Sequence, residues 1–468
     1  MLMYRWNVNH VISKNAFLLL PNKFFRFLYP NQVERFRLGY IQDEYNFLMK
    51  SQWFNLKEME RFQLKKLKKF VQYSYRNIPF YKRKFRESGI TPYDINSLKD
   101  LVKIPIINKD IVRRNFSSIL SPNCSFYKIF STSGSTGKPF MCPSSFESVK
   151  IKDAILQRLF SWTGCDPGKD KIMGILRPLS IPGSSISPHG LVFRSLKYLL
   201  KNQIFWTPTT FTVEEIFRIF QVMAKFEPKL IHTIPNALHP LIKATQKYDI
   251  DFPNSLRYVS LGGEPIDRKK FQKRMNAEIF VRYGASDVAQ YVANECKEHS
   301  GLHVNMENHI VEIVKDGEVA AEGEKGDVVI TDFNNFDAPL MRYDIEDIAQ
   351  YKPGKCSCGR ELRRLEMIYG RKTDLLISTN GKLVTQVEWF FQALKGIEHF
   401  RIIQNKIDKI DVLIVPTANY SEETEKQIIS ILTRHLGNDI NVNIKLVKKI
   451  PHGQKFRFII SKIGPKYF

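Results

Sequence analysis

The sequence predicts an α/β protein. A large N-terminal domain with mixed and parallel sheets would span residues 1–370, including a helical N-terminal region, and a small α+β domain would span 371–468. Three observations lead there. Short β-rich runs alternate with helix-like segments between residues 150 and 350, and the character changes after Gly370 into a unit of about 100 residues. The 468 residues also exceed what one ordinary domain holds.

Helical patterns dominate the first hundred residues. Between Arg61 and Arg86 (RFQLKKLKKFVQYSYRNIPFYKRKFR) there is no Asp or Glu. Phe62, Leu64, Leu67, Phe70 and Val71 recur there at helical spacing and leave the lysines on the other face, which makes an amphipathic basic helix. That face is either a solvated surface or one drawn to anionic lipid or another polyanion. KIF and PFMC flank the loop FSTSGSTGKP (130–139) as strands. KIMGIL, KLIHTI, LRYVSLGG, EIFVRYG and GDVVITDF then read as strands, and FTVEEIFRIFQVMAKF, IPNALHPLIKATQKY and DRKKFQKRM as helices. This alternation predicts a largely parallel sheet. Beyond Gly370 come DLLIS, a turn at Asn380-Gly381, a helix WFFQALKG, strands FRIIQ and DVLIVP, a helix SEETEKQIISILTRHL and a strand NVNIKLV.

Apolar residues make up 43% and charged residues 25%, a folded composition well away from the disordered class. AFLLL (16–20) and LKYLL (196–200) fall far short of a membrane span, and MLMYRWNVNH is not a secretory signal, so the expected location is cytoplasmic. The net charge of +24 raises nucleic acid as a partner, yet no zinc-finger spacing, RNA-recognition signature or basic zipper is present. Six cysteines in so long a chain do not form a disulfide scaffold, and Cys124, Cys142 and Cys165 read as buried small residues.

FSTSGSTGKP packs five hydroxyl residues, two glycines and a lysine into ten positions. A Walker loop needs G-x-x-x-x-G-K followed by Ser or Thr. Here Gly134-Ser-Thr-Gly137-Lys138 is followed by Pro139, so that loop is excluded. Gly134 and Gly137 nevertheless free backbone N–H groups, Thr132, Ser133, Ser135 and Thr136 supply hydroxyls, and Lys138 supplies charge, against the alternative of a Gly/Ser surface turn. LGGEP (261–265) follows a strand. VRYGASD (281–287) follows another and offers Tyr283 for stacking, Gly284 for close approach and Asp287 as an oxygen ligand for Mg²⁺. MRYDIED (341–347) ends in Asp347, an acceptor for sugar hydroxyls, and each of these stretches also has an ordinary reading as turn, core or cap.

In combination and order these motifs resemble the adenylate-forming acyl-CoA synthetase superfamily, and within it the phenylacetate-CoA ligase-like group that includes enzymes of capsular polysaccharide clusters (the CapK type). The resemblance runs from about Asn77 to the C-terminus. It implies that STSGSTGKP is the phosphate loop, with Thr132, Ser133, Gly134, Ser135, Thr136, Gly137 and Lys138 on ATP. It implies that Gly263, Glu264, Pro265, Tyr283, Gly284 and Ser286 lie on the adenine side, and that Asp347 binds ribose. GRKTDLL (370–376) is similar to the hinge into a mobile C-terminal domain, with Arg371 at the nucleotide. KKIPHGQKFRFIISKI carries Lys455 in the position of the catalytic lysine. Four positions depart from the pattern: Asp287 stands for Glu, Glu346 for the glycine before the ribose Asp, Thr373 for an acidic hinge residue, and Gln454 separates Gly453 from Lys455.

The implied activity is ATP-dependent conversion of a carboxylic acid to its adenylate, with transfer to coenzyme A, a carrier thiol or an amine. The alternatives are a nucleotide-binding relative acting as a scaffold without catalysis, and a polyanion-binding protein driven by charge, at the inner membrane face for instance. ATP, Mg²⁺ and coenzyme A are the implied small molecules. Cys356 and Cys358 form half of a zinc site by ligand type. The resemblance adds Cys296 and His303 as the other half, with His299 as the competing imidazole.

Overall fold

The computed structural model describes residues 39–125, 128–131, 141–176, 202–206, 211–262, 268–285, 288–371, 375–384, 387, 391, 394–450 and 457–463. The chain divides into two compact units: most of one is Lys150–Tyr283, and most of the other is Phe54–Val149 with Ser300–Phe468.

Helix α1 (Gln42–Ser51) precedes α2 (Leu56–Asn77), which begins at a capping box: Asn55 accepts from the Glu58 N–H at 2.9 Å, and Glu58 accepts from the Asn55 N–H at 3.0 Å. Met59, Leu67, Phe70 and Val71 form its buried face, and the fully buried Phe70 meets Phe333 and Phe336 edge-on. Phe70→Ala there would cost about 3–5 kcal/mol. The next helix, α3 (Pro79–Glu87), opens with a proline at its first turn, where a missing N–H costs nothing.

Strands β1 (Lys128–Ser131) and β2 (Met141–Ser144) pair antiparallel with Ser131 opposite Met141, so the expected strand-loop-strand is present. Its loop, residues 132–140, lies outside the described residues. Helix α4 (Phe146–Trp162) follows.

In the first unit β3 (Ile172–Ile175), β4 (Gln203–Trp206), β5 (Leu230–Thr233), β6 (Tyr258–Gly262) and β7 (Glu278–Ala285) pair in parallel, in the order β7-β6-β5-β3-β4. The intervening helices α5 (Val213–Phe226), α6 (Pro235–Tyr248) and α7 (Arg268–Met275) supply the crossovers that parallel strands require. Ile219, Met223, Leu238, Leu241, Val259 and Ile279 are among the side chains that fill the core between helices and sheet.

The expectation of a largely parallel sheet to residue 350 fails beyond β7. Strand β8 (Ala289–Asn294) follows β7 along the chain. In the second unit β9 (Leu302–Val304), β10 (His309–Lys315), β11 (Glu318–Val319), β12 (Lys325–Asp332), β13 (Tyr343–Lys352) and β14 (Arg364–Arg371) pair antiparallel, in the order β11-β10-β12-β13-β14-β9. The physical reason is the connections. No helix lies between residues 288 and 371, and hairpin turns such as Asp316-Gly317, both at positive φ, can join only antiparallel neighbours.

The C-terminal segment carries β15 (Leu376–Ile377), β16 (Leu383–Val384), β17 (Ile397–Lys406), β18 (Lys409–Pro416), helix α8 (Glu422–Leu436), β19 (Asn441–Leu446) and β20 (Ile459–Ser461). Its main sheet has the order β19-β18-β17-β20, and Phe400, Ile402, Val412, Ile428 and Leu432 build a core of its own. The strands and the second helix expected after Gly370 are all there. Half of the expected helix at WFFQALKG, residues 389, 390, 392 and 393, lies outside the described residues.

Candidate active site and metal centre

Parallel strands present their carboxyl ends on one edge, where α/β sheets place ligands. Gly262, the last residue of β6, stands opposite Arg282 on β7, so the described parts of LGGEP and RYGASD, residues 261–262 and 282–285, end neighbouring strands. The need for glycine at 262 is steric: a Cβ there would lie 2.6 Å from Arg282 Cγ and 2.8 Å from Cζ. Arg282 lies across that glycine and donates from Nη2 to the Thr233 carbonyl at the end of β5, at 3.1 Å. Beside it His232 is fully enclosed, with Nδ1 3.3 Å from Ser260 Oγ and its ring edge-on to Phe160. Burial, and then the charge of Arg282, hold this imidazole well below its ordinary pKa, so it is neutral. Neither Arg282 nor His232 stood out in the sequence. A strand-end Gly-Gly reads as a turn, and only the side chain lying across Gly262 reveals why glycine is there.

Tyr283 is buried and Gly284 follows it on β7. Trp162 is buried too, with its indole N–H donated to Gln52 Oε1 at 2.7 Å. Asp347 and Arg371, expected at ribose and hinge, are cross-strand partners on β13 and β14. Their common ladder brings together two positions separated by 24 residues in sequence (371 − 347). Thr132 to Lys138, Gly263, Glu264, Pro265, Ser286, Asp287 and Lys455 lie outside the described residues.

Glu346 adopts φ +67°, the left-handed conformation that a glycine would take at no cost. Its N–H donates to Asp344 Oδ1 at 2.7 Å, and its side chain is exposed. The β12–β13 register shifts here: Asp327 faces Ile348, whereas Val329 faces Asp344. Asp347 therefore lies within a bulge, where residues 345–347 stand against Val328 alone and the strand is re-aimed. Glu346→Gly should raise stability by about 0.5–1 kcal/mol, because relief of left-handed strain exceeds the extra freedom of the unfolded glycine. The check is a higher urea midpoint at unchanged m-value.

A different, half-buried group is Lys66, whose Nζ donates to the Glu307 carbonyl at 2.8 Å and to Asn334 Oδ1 at 3.3 Å. Burial pushes this amine down to about 8, against the opposing pull of Asp332 and Glu307.

The metal-ligand expectation meets a specific geometry. The ligand atoms of Cys296, His303, Cys356 and Cys358 all lie within 4.8 Å of one another. Cys296 opens a turn in which the His299 N–H returns to the Cys296 carbonyl at 3.0 Å, and His303 sits on β9 opposite Arg364. Gly301 (φ +85°) is needed between them, since a Cβ would come within 2.8 Å of the Leu365 carbonyl. Cys356 and Cys358 occupy the turn between β13 and β14, where the Gly359 N–H donates to the Cys356 carbonyl at 3.1 Å. Tetrahedral zinc with its usual bond lengths separates its donor atoms by about 3.3–3.8 Å. Cys358 Sγ and His303 Nε2, 3.4 Å apart, fit that spacing. Burial works against ionisation of Cys358, but the Arg360 backbone N–H and guanidinium, with Cys356, outweigh it and bring the thiol below its ordinary pKa, toward the thiolate that a metal binds. His299 is engaged elsewhere: Nε2 meets Glu278 at 2.8 Å and Nδ1 meets Glu295 at 3.1 Å. Those carboxylates, Glu295 first, raise its pKa. Cys142 and Cys165 are buried as expected, whereas Cys124 is half-exposed because it sits in the turn after Ser121.

Comparison with known proteins agrees with this layout. Residues 376–462 match the CapK C-terminal domain. The phenylacetate-coenzyme A ligase of Thermus thermophilus is 26% identical over 80% of this chain and 85% of that protein. Protein CapK of Staphylococcus aureus is 23% identical over 99% of this chain and all of that protein. A crystal structure of 2-hydroxyisobutyryl-CoA ligase, in the postadenylation state with 2-HIB-AMP, shares the fold with a TM-score of 0.71 at 16% identity, over 88% of this chain and 91% of that one. The chain is thus similar to phenylacetate-coenzyme A ligases and to CapK over most of its length, and it shares the fold of an acyl-CoA ligase. The match to the CapK C-terminal domain begins at Leu376, the first residue of β15, and closes after β20.

Proposed function

We infer that the chain is an AMP-forming ligase that joins a carboxylic acid to the α-phosphate of ATP, releasing pyrophosphate, and then passes the acyl group to coenzyme A or another thiol or amine. The observation that carries this reading is the pairing of β6 with β7, which sends LGGEP and RYGASD from one sheet edge in a chain that aligns with coenzyme A ligases over most of its length.

In this reading the hydroxyls of Thr132, Ser133, Ser135 and Thr136, the backbone at Gly134 and Gly137, and Lys138 hold the phosphates. Gly263, Glu264, Pro265, Tyr283, Gly284 and Ser286 hold the adenine side, and Asp347 holds the ribose. Asp287 would hold Mg²⁺, which neutralises phosphate charge when bound. Lys455 comes from a mobile domain of residues 371–468 that pivots next to Arg371 and donates to the charge that develops between carboxylate and phosphate. Cys296, His303, Cys356 and Cys358 hold a structural Zn²⁺. The enzyme works in the cytoplasm, at the inner membrane face, where a surface-polysaccharide precursor would be met.

Purified protein with ATP and Mg²⁺ should release AMP and pyrophosphate only when a suitable acid from a panel of aryl, hydroxy and sugar acids is added. The exposed Glu346, in the place of a family glycine, favours a second reading as a nucleotide-binding relative without catalysis. ATP binding without AMP release for any acid would establish that one.

A further inference from the structure

Six cations of α2, Lys57, Arg61, Lys65, Lys68, Lys69 and Arg76, are exposed, and every one falls within an arc of about 120° at 100° per residue. The buried residues Met59, Gln63, Leu67, Phe70, Val71 and Ser74 occupy the opposite side. Within the cationic arc the one carboxylate is Glu58, which is tied into the capping box, so the arc carries a net charge of +5 (six cations less one carboxylate). The 22 residues of the helix extend it to about 33 Å. Helix α3 packs beside α2 and adds the exposed Lys82, Arg83 and Arg86, with Glu87 engaged by Lys84 at 2.8 Å and Arg83 at 3.7 Å. The short turn Pro92–Asp94, also packed against α2, carries Tyr93, 78% exposed.

We propose that the outer face of α2 and α3 is a docking surface for an anionic lipid bilayer. A straight cationic stripe is complementary to a flat negative leaflet, where each Lys or Arg near the surface contributes about 1 kcal/mol. Tyrosine is a side chain suited to the headgroup layer beside such a stripe. The apolar face of α2 is committed to the core through Phe70 and Leu67, so the helix does not insert. The contact is electrostatic, superficial and sensitive to salt. A single-stranded nucleic acid fits less well, because within α2 no exposed aromatic is interleaved with the six cations to stack on bases. This surface stands whether or not the chain proves to be a ligase.

The test is co-sedimentation of the full chain with vesicles of phosphatidylcholine alone, or with 30% phosphatidylserine, between 50 and 500 mM NaCl, for wild type and for Arg61→Gln/Lys65→Gln/Lys69→Gln. Binding should require phosphatidylserine and vanish at high salt. The triple variant should bind about 100-fold more weakly, roughly fivefold per cation removed. Its thermal melting should match that of wild type, since all three side chains point to solvent. Equal binding by the variant, absence of binding to the anionic vesicles, or tighter retention of duplex or single-stranded RNA than of vesicles would each overturn the proposal.

Discussion

Replacing Lys455 with alanine is expected to lower acid-dependent AMP release by about 100- to 1,000-fold while ATP still binds with little change. A positioned cation that acts on charge developing in the transition state contributes on that scale, and its removal lowers turnover rather than ground-state affinity. The measurement is pyrophosphate exchange with the best acid of the panel, alongside an equilibrium ATP titration. Equal losses in affinity and in turnover would mean that Lys455 holds nucleotide in the ground state instead. Unchanged turnover would remove it from the chemistry. Lys455 follows Gly453-Gln454, so the same pair of measurements on Gln454→Gly, which puts a glycine directly before the lysine, reports whether the glutamine side chain hinders delivery of the lysine.

The second large effect concerns the metal centre. Freshly purified protein should contain about one zinc per chain, and Cys358→Ser or prolonged chelation should remove it at a cost of more than about 4 kcal/mol, the class of effect that follows loss of a structural metal. The prediction is sharp because the four donors already lie within 4.8 Å of one another and three of them, Cys296, His303 and Cys356, are buried. Elemental analysis and thermal melting of both forms provide the check. A metal-free preparation with unchanged melting would reject the site. His299→Ala should leave zinc content unaltered, since that ring is held by Glu278 and Glu295.

Much of the layout was legible from short-range pattern. Alternating apolar runs located β1, β2, β3, β5, β6 and β7 but missed the four-residue β4, and helical spacing located α2, because those signals depend on neighbours a few positions apart. Strand direction was not legible. GDVVITDF looks the same in a parallel or an antiparallel sheet, and only the absence of a crossover helix between residues 288 and 371 decides it. The same limit separates the ligands. Cys356 and Cys358 announce themselves by ligand type, but His299 and His303 are equally placed along the chain, and the choice rests on Glu278 and Glu295 engaging the first. Glu346 shows a third kind of blindness. Its identity departs from the family, yet the backbone keeps the glycine-like conformation, which no sequence pattern reports.

Asp347 and Arg371 face each other across one ladder, at the end of β14 that borders Lys372 and the residues beyond it. A side chain expected to feel the nucleotide and a backbone expected to pivot thus share the same pair of hydrogen-bonded strands. On the roles proposed for these two residues, a loosened pivot would retune the nucleotide contact through that one ladder, with no signal crossing the core.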